Sequence, residues 1–277
     1  MNKRNIKLFI TGIVILLVAG AVFLGMAYVQ EQVKIKSQKN ETKQEVVQEE
    51  DETLEESDLA EELAQKERTT YTFLQGPKSW AKGLDWSGEW AQEIVNGNAF
   101  GSFGCGLCAM ANIYDTLSPY EVSPLKMCTY AQKVSGYTPT AESGAIGWGD
   151  MKTVLKSVGM DVEVSTKPDN YEDFCENLKN AQSAIVLVCS ADDDSYWEDT
   201  PGHYVNIWHY NEEENTVFLA DPGGPSHNRD RIDAKYVYDA MKTSSKFQVL
   251  YVWSYDEEDN SWKADGIKDE WNRPDYL

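Results

Sequence analysis

Basic charge is scarce in this chain: 25 lysines and arginines stand against 46 aspartates and glutamates in 277 residues, a formal net charge of −21 at pH 7. The acidic excess is spread over linker and domain alike, so no basic face is left for a polyanion, and a nucleic-acid partner is excluded. Histidine is rarer still, with three in all, and of the five cysteines only Cys105 and Cys108 lie close together. A structural zinc site needs a second close pair. Cys128, Cys175 and Cys189 are isolated, and packing in the core is their expected role. Asp192-Asp193-Asp194, with Glu198 and Asp199, lacks the alternation and the glycine of a calcium loop and reads as a solvated acidic loop before His203. Its functional counterpart is a rim that favours basic side chains. There is no internal repeat, and nothing calls for a metal or cofactor.

Four segments are expected. Residues 1–30 hold a charge-free run of 22 residues, Leu8 to Val29, which as a helix is about 33 Å long and spans a bilayer. It exceeds the apolar stretch of a cleaved signal peptide, although Gly25-Met26-Ala27 resembles a cleavage site, so a retained single-pass anchor in the cell membrane is expected, with the lipid bilayer as a partner. Basic residues flank the run on both sides, Lys3, Arg4 and Lys7 before it and Lys34, Lys36, Lys39 and Lys43 after it. A short basic tail ahead of a long domain fits a signal anchor with the domain outside the cytoplasm. Residues 31–70 are Glu, Lys and Gln with almost no aromatics, and read as an acidic stalk. Aromatics return at Tyr71, Phe73, Trp80, Trp86 and Trp90, marking a domain over 71–254. An acidic tail, 255–277, follows, in which Trp262 and Trp271 suggest local packing.

Within the domain, Leu107, Met110, Ala111, Tyr114 and Leu117 recur at helical spacing directly after the glycine-rich loop from Gly97 to Gly104, so a helix is predicted to begin at Cys105. Met151, Val154, Leu155 and Val158 mark a second helix. Tyr171, Phe174, Cys175 and Leu178 mark a third, capped by Asp169 or Asn170. Runs rich in β-branched and aromatic residues predict strands over Ala184–Cys189, His203–Tyr210, Thr216–Ala220 and Phe247–Trp253, with a further helix near Ile232–Met241. Helices first and antiparallel strands after give an α+β class.

Cys105 at a helix start meets unpaired backbone N–H groups and the positive end of the helix dipole, both of which favour a thiolate. Gly101, Gly104 and Gly106 distinguish it from a space-filling cysteine, since they let another backbone, such as a peptide substrate, approach. An odd cysteine count leaves at least one thiol free. A hairpin turning near Glu213 places Asp221 opposite Val205 and on the same face as His203, within reach of its ring. Such a pair fixes the imidazole tautomer so that the other nitrogen can take a thiol proton. The bland alternative is a strand histidine bonded to a carboxylate for structure alone. His209 is expected as a surface or cross-strand residue, and His227 as a residue of the cleft rim.

Gly104-Cys105-Gly106-Leu107-Cys108-Ala109-Met110-Ala111, then Gly202-His203-Tyr204-Val205, then Ala220-Asp221-Pro222-Gly223-Gly224, in that order, resemble the bacterial cysteine peptidases similar to those that process double-glycine bacteriocin leaders. The resemblance spans roughly residues 71 to 254 and implies a papain-like α+β fold and a peptide or protein substrate. It further implies a triad of Cys105 as nucleophile, His203 as general base and Asp221 as the group that orients it. The family also carries a glutamine upstream of the cysteine that stabilises the oxyanion. Gln75 is the choice here, with Gln92 and Asn98 as competitors. Leu107 and Cys108 depart from the proline and small residue expected after the Cys-Gly pair.

Two other classes remain open. Cys105-x-x-Cys108 at a helix start also suggests a thioredoxin-like disulfide oxidoreductase, but that fold needs a strand leading into the motif, and the glycine-rich lead-in is a poor one. A binding module that kept the fold without the chemistry is the other.

Overall fold

A computed structural model of the chain describes residues 60–76, 88–142, 144–190, 196–224, 226–264 and 266–267, together with 26, 28–34 and 36. The chain divides into two compact units, Met1–Glu62 and Leu63–Leu277. In the first, the described residues between 26 and 36 are helical, with Met26, Tyr28, Val29 and Val33 exposed. Among the described residues no helix is long and apolar enough to cross a membrane. This corrects the expectation of a transmembrane helix and, with it, the single-pass membrane placement that hydropathy suggested. Of the run Leu8 to Val29, only Met26, Tyr28 and Val29 are described; the rest lies outside the described residues, as do Asp192-Asp193-Asp194, Trp80, Trp86 and Trp271.

The second unit is a mixed α+β domain built on an antiparallel sheet. A short hairpin of β1 (Ile94–Val95) and β2 (Asn98–Ala99) leads through a 3-10 turn, Phe100–Ser102, into helix α1 (Cys105–Leu117). Helices α2 (Pro124–Ser135) and α3 (Trp148–Ser157) follow, then strand β3 (Val158–Ser165), helix α4 (Tyr171–Asn180) and strands β4 (Ser183–Val188), β5 (His203–Asn211), β6 (Thr216–Ala220) and β7 (Arg231–Asp233). Helix α5 (Ala234–Asp239) and the long strand β8 (Val249–Asn260) close the order. The six-stranded sheet runs β3-β8-β4-β5-β6-β7.

Both faces of this sheet are covered, which explains why its central strands read as unbroken apolar runs rather than as alternating ones. Ile185, Leu187, Tyr204, Trp208, Phe218, Leu250 and Val252 join the core formed with α1, α2 and α3. Their neighbours Ala184, Val186, Val205, Ile207, Val217, Leu219, Val249 and Tyr251 join the core of the other face, with Phe174 and Leu178 of α4 and Val237 of α5. The alternation follows from the two-residue period of a strand. Helix α1 is buried from Cys105 through Asp115, as expected of a helix with core on all sides.

Local chemistry sets the ends of the elements. In α2, Ser123 accepts a hydrogen bond from the Lys126 N–H at 3.2 Å, Pro124 occupies the first turn, and Gly136 takes the left-handed conformation past the last. In α4 the cap is Asn170, whose side-chain Oδ1 accepts from the Asp173 N–H at 2.8 Å. β1, β2, β3 and β7 lie where no strand was expected: β3 begins at Val158, the residue that also ends the α3 pattern, and β7 takes Ile232, which the apolar pattern assigns to the helix that follows.

The compact unit takes in residues that composition assigns to the stalk. Arg229 donates to the carbonyls of Glu67 and Thr70 at 2.7 and 2.9 Å, and Arg231 pairs with the Glu67 carboxylate at 2.6 Å. At the other end of the sequence, Trp262 stacks on Tyr130 with ring centroids 4.0 Å apart.

A chain of buried amides fixes α1 against the sheet. Asn112 accepts from the Phe73 N–H at 2.7 Å and donates to Asn206 Oδ1 at 2.9 Å, and Asn206 in turn donates to the Ala109 carbonyl at 3.2 Å. Asn112 and Asn206 are fully buried, so each lost bond leaves a polar group with no water to replace it. Asn112→Ala is therefore expected to lower stability by about 2–4 kcal/mol. The check is the urea midpoint at unchanged m-value; a midpoint equal to wild type would show that the amide chain contributes nothing.

Candidate active site

Three elements converge at one end of β5. Cys105 is the first residue of α1, His203 is the first residue of β5, and Asp221 is the first residue after β6. The register of the hairpin produces the last juxtaposition: Asn206 pairs with Ala220 and Ile207 with Leu219, which brings Asp221 level with Val205 and onto the face of His203. His203 Nε2 donates to Asp221 Oδ1 at 2.7 Å, with the two side chains 11% and 1% exposed, so little water competes for the bond. The Cys105 thiol lies close enough to the same ring for each group to shift the other's titration. Since Nε2 is committed to Asp221, Nδ1 is the nitrogen left for sulfur.

The electrostatics of the three groups agree in direction. Burial pushes the Cys105 thiol up, but the hydrogen bond and charge of His203, with backbone N–H groups of Tyr204 and Gly106, outweigh it and leave the thiol below its usual value. Burial pushes the His203 imidazolium down, and Asp221 and Cys105 more than reverse this, raising it to about 10. Burial would raise the Asp221 carboxyl, yet the charge and hydrogen bond of His203, the Trp197 indole and the Gly223 N–H hold it below the usual carboxylate range. A thiolate beside an imidazolium is the state these shifts favour.

Cys108 lies one turn further along α1 and is fully buried, and burial together with the nearby Cys105 pushes its thiol well up. Cys128 is also buried, and its thiol is pushed up to about 11. All five cysteines are free.

Gly104 and Gly106 make room for the chain itself rather than for a substrate. A Cβ on Gly104 would stand 2.4 Å from the Phe100 ring, and one on Gly106 would stand 2.5 Å from Ile146 and 3.2 Å from Tyr204. Both glycines let Cys105 sit deep between the lead-in turn and β5.

Of the three upstream amides, Gln75 is the one held between the loops that carry the site. Its backbone N–H donates to the Pro222 carbonyl at 2.8 Å and its Nε2 to the Gly101 carbonyl at 2.9 Å, while its buried Oε1 has no partner among the described residues. Gln92 is exposed in the 3-10 turn Glu89–Gln92, and the Asn98 amide donates to the carbonyls of Asn96 and Pro139 at 3.1 and 3.4 Å.

The remaining histidines stand apart from this cluster. His209 sits at an irregularity of β5 with φ 48° and bonds Thr70 Oγ1 at 2.7 Å; burial, with Arg231 and Lys66 nearby, lowers its ring to about 4. His227 lies in the loop after Gly224, its ring 4.5 Å from that of Tyr196. Among the described residues no group of three or more His, Cys, Asp or Glu side chains could hold a metal ion. Sequence reasoning missed Trp197, which donates its indole N–H to Asp221 Oδ2 at 2.9 Å. No periodicity or spacing marks it. Compared with known proteins, the chain matches no family model and no curated relative.

Proposed function

We propose that this chain is a cysteine peptidase of papain-like fold, similar to the peptidases that process double-glycine leaders, hydrolysing peptide bonds with Cys105 as nucleophile, His203 as acid and base, and Asp221 as the group that orients His203. The observation that carries this reading is His203 held between the Cys105 thiol and the Asp221 carboxylate, with Nε2 at 2.7 Å from Asp221. Cys105 Sγ attacks the substrate carbonyl carbon to form a C–S bond, and negative charge collects on the oxygen. The His203 imidazolium then gives its proton to the leaving nitrogen as the C–N bond breaks. Water, losing a proton to the neutral imidazole, attacks the thioester; the C–S bond breaks, and the acid product leaves the thiolate and imidazolium restored.

Oxyanion stabilisation falls to the first backbone N–H groups of α1, aided by the helix dipole. The Gln75 amide commits one of its two Nε2 N–H groups to the Gly101 carbonyl, which leaves the second to join them. A dithiol–disulfide role for Cys105 and Cys108 is disfavoured by the 3-10 turn, rather than a strand, that leads into α1, and by the burial of Cys108.

The test is labelling with a peptide carrying a thiol-reactive group, followed by mapping of the modified residue. Modification at mildly acidic pH is expected on Cys105 and not on Cys108, Cys128, Cys175 or Cys189. Preferred labelling of Cys108, or a stable Cys105–Cys108 disulfide that cycles at physiological potentials, would favour the oxidoreductase instead.

A further inference from the structure

We infer that Trp197 is a positioning residue of this site: its indole N–H holds the Asp221 carboxylate in the orientation that bonds the His203 ring beside Cys105. The inference rests on the peptidase reading above.

The two carboxylate oxygens of Asp221 are committed separately. Oδ1 accepts from His203 Nε2 at 2.7 Å and from the N–H groups of Gly223 and Gly224 at 2.9 and 2.8 Å. Oδ2 accepts from Trp197 Nε1 at 2.9 Å. The backbone N–H of Asp221 is itself held by Asn228 Oδ1 at 3.0 Å. With the residue 1% exposed, Oδ2 would otherwise face the interior with no water to solvate its charge.

Trp197 is in turn fixed. It is 3% exposed, its ring lies 5.4 Å from that of Tyr236 on α5, and its carbonyl accepts from Ser190 Oγ and the Thr200 N–H at 2.8 and 3.0 Å. The indole therefore cannot follow the carboxylate if it turns, and defines where Oδ2 sits. Among the described residues, the titratable and charged groups around this contact are few. His203 faces it from β5 and Cys105 from α1. Tyr236 faces it from α5 and Tyr196 from the preceding loop, with His227 behind Tyr196, and Lys242 lies beside Gly202. Of these, only His203 bonds the carboxylate, alongside the Trp197 indole.

Removing the donor makes the Asp221 anion harder to maintain, weakens the imidazolium that depends on it, and so raises the Cys105 thiol. The experiment follows the rate of Cys105 alkylation by iodoacetamide against pH, read by mass spectrometry, and needs no substrate. Wild type, Trp197→Phe and Asp221→Asn are compared. A fourth protein carries β-(3-benzothienyl)alanine at position 197, which keeps the bicyclic shape and replaces the N–H with sulfur. In both donorless proteins the midpoint of the acid limb is expected to rise by about half to one pH unit, a loss of about 3- to 10-fold in rate on the acid side. That midpoint should fall between wild type and Asp221→Asn. Continued protection of Cys108 from alkylation shows that each protein is folded. A purely structural tryptophan would slow labelling at every pH without moving the midpoint, and that result in the benzothienyl protein overturns the inference. If wild-type Cys105 itself reacts as an ordinary thiol, the peptidase reading fails, and that outcome is distinct.

Discussion

Cys105→Ala is expected to remove peptide hydrolysis, a fall of about a thousandfold or more, and His203→Ala to do nearly the same, because in the proposed peptidase nucleophile and base act as one unit. The two variants should differ in stability. Cys105→Ala deletes one sulfur from a site that is 7% exposed and should shift stability by only about 1 kcal/mol. His203→Ala strips the partner from a buried carboxylate, whose remaining bonds come from Trp197, Gly223 and Gly224. It should therefore cost about 2–3 kcal/mol. Hydrolysis of a degenerate peptide pool, followed by mass spectrometry, measures the first effect, and urea denaturation measures the second. Unchanged hydrolysis by Cys105→Ala would show that another residue is the nucleophile.

Asp221→Asn carries the second large effect, on pH dependence as much as on rate. In the proposed peptidase the active state needs thiolate and imidazolium together, so activity should rise as pH passes the lowered value of Cys105 and fall as pH passes about 10, where His203 loses its proton. With the carboxylate neutralised, His203 loses its strongest support. The alkaline limb should move down by about two pH units and turnover should fall by about 100- to 10,000-fold. The amide cannot reproduce the carboxylate's bonds. If its oxygen takes the Oδ1 position, its NH2 meets the Trp197 N–H, and two donors face each other.

The same shifts have a stability counterpart with a defined sign. The folded value of His203 is raised from 6.5, so its contribution is complete below that value and is lost as pH rises through about 10. Asp221 is depressed from 3.8, so its contribution is present above that value and is lost as pH falls through the lower one. Asp221→Asn should flatten both limbs of a stability–pH curve. A curve identical to wild type would show that the pair does not titrate between the folded and unfolded states as described.

Much of the site was legible in the residues alone, and the reason is that its parts rest on short-range rules. A glycine-rich loop followed by helical spacing places Cys105 at a helix start, and a tight turn with a two-residue strand period places Asp221 level with Val205. The α+β class with an antiparallel sheet follows from the same periodicities. Strand β3 escaped because its first residue also completes the apolar pattern of α3, and local pattern cannot divide one valine between two elements. The apolar run near the N-terminus shows the opposite failure: hydropathy predicted a membrane span, and no helix among the described residues has the length and apolarity for one.

What only the tertiary structure decided are contacts between residues distant in sequence. Asn112 meets Asn206 across 94 positions and Gln75 meets Gly101 across 26. Gly106 proved to admit Ile146 and Tyr204 rather than a substrate backbone. Trp197 reaches Asp221 across 24 positions from a stretch with no periodic signal. An indole N–H or a side-chain amide has no preferred partner until packing removes the water that would otherwise satisfy it, so its role is set by burial, which the folded chain as a whole creates.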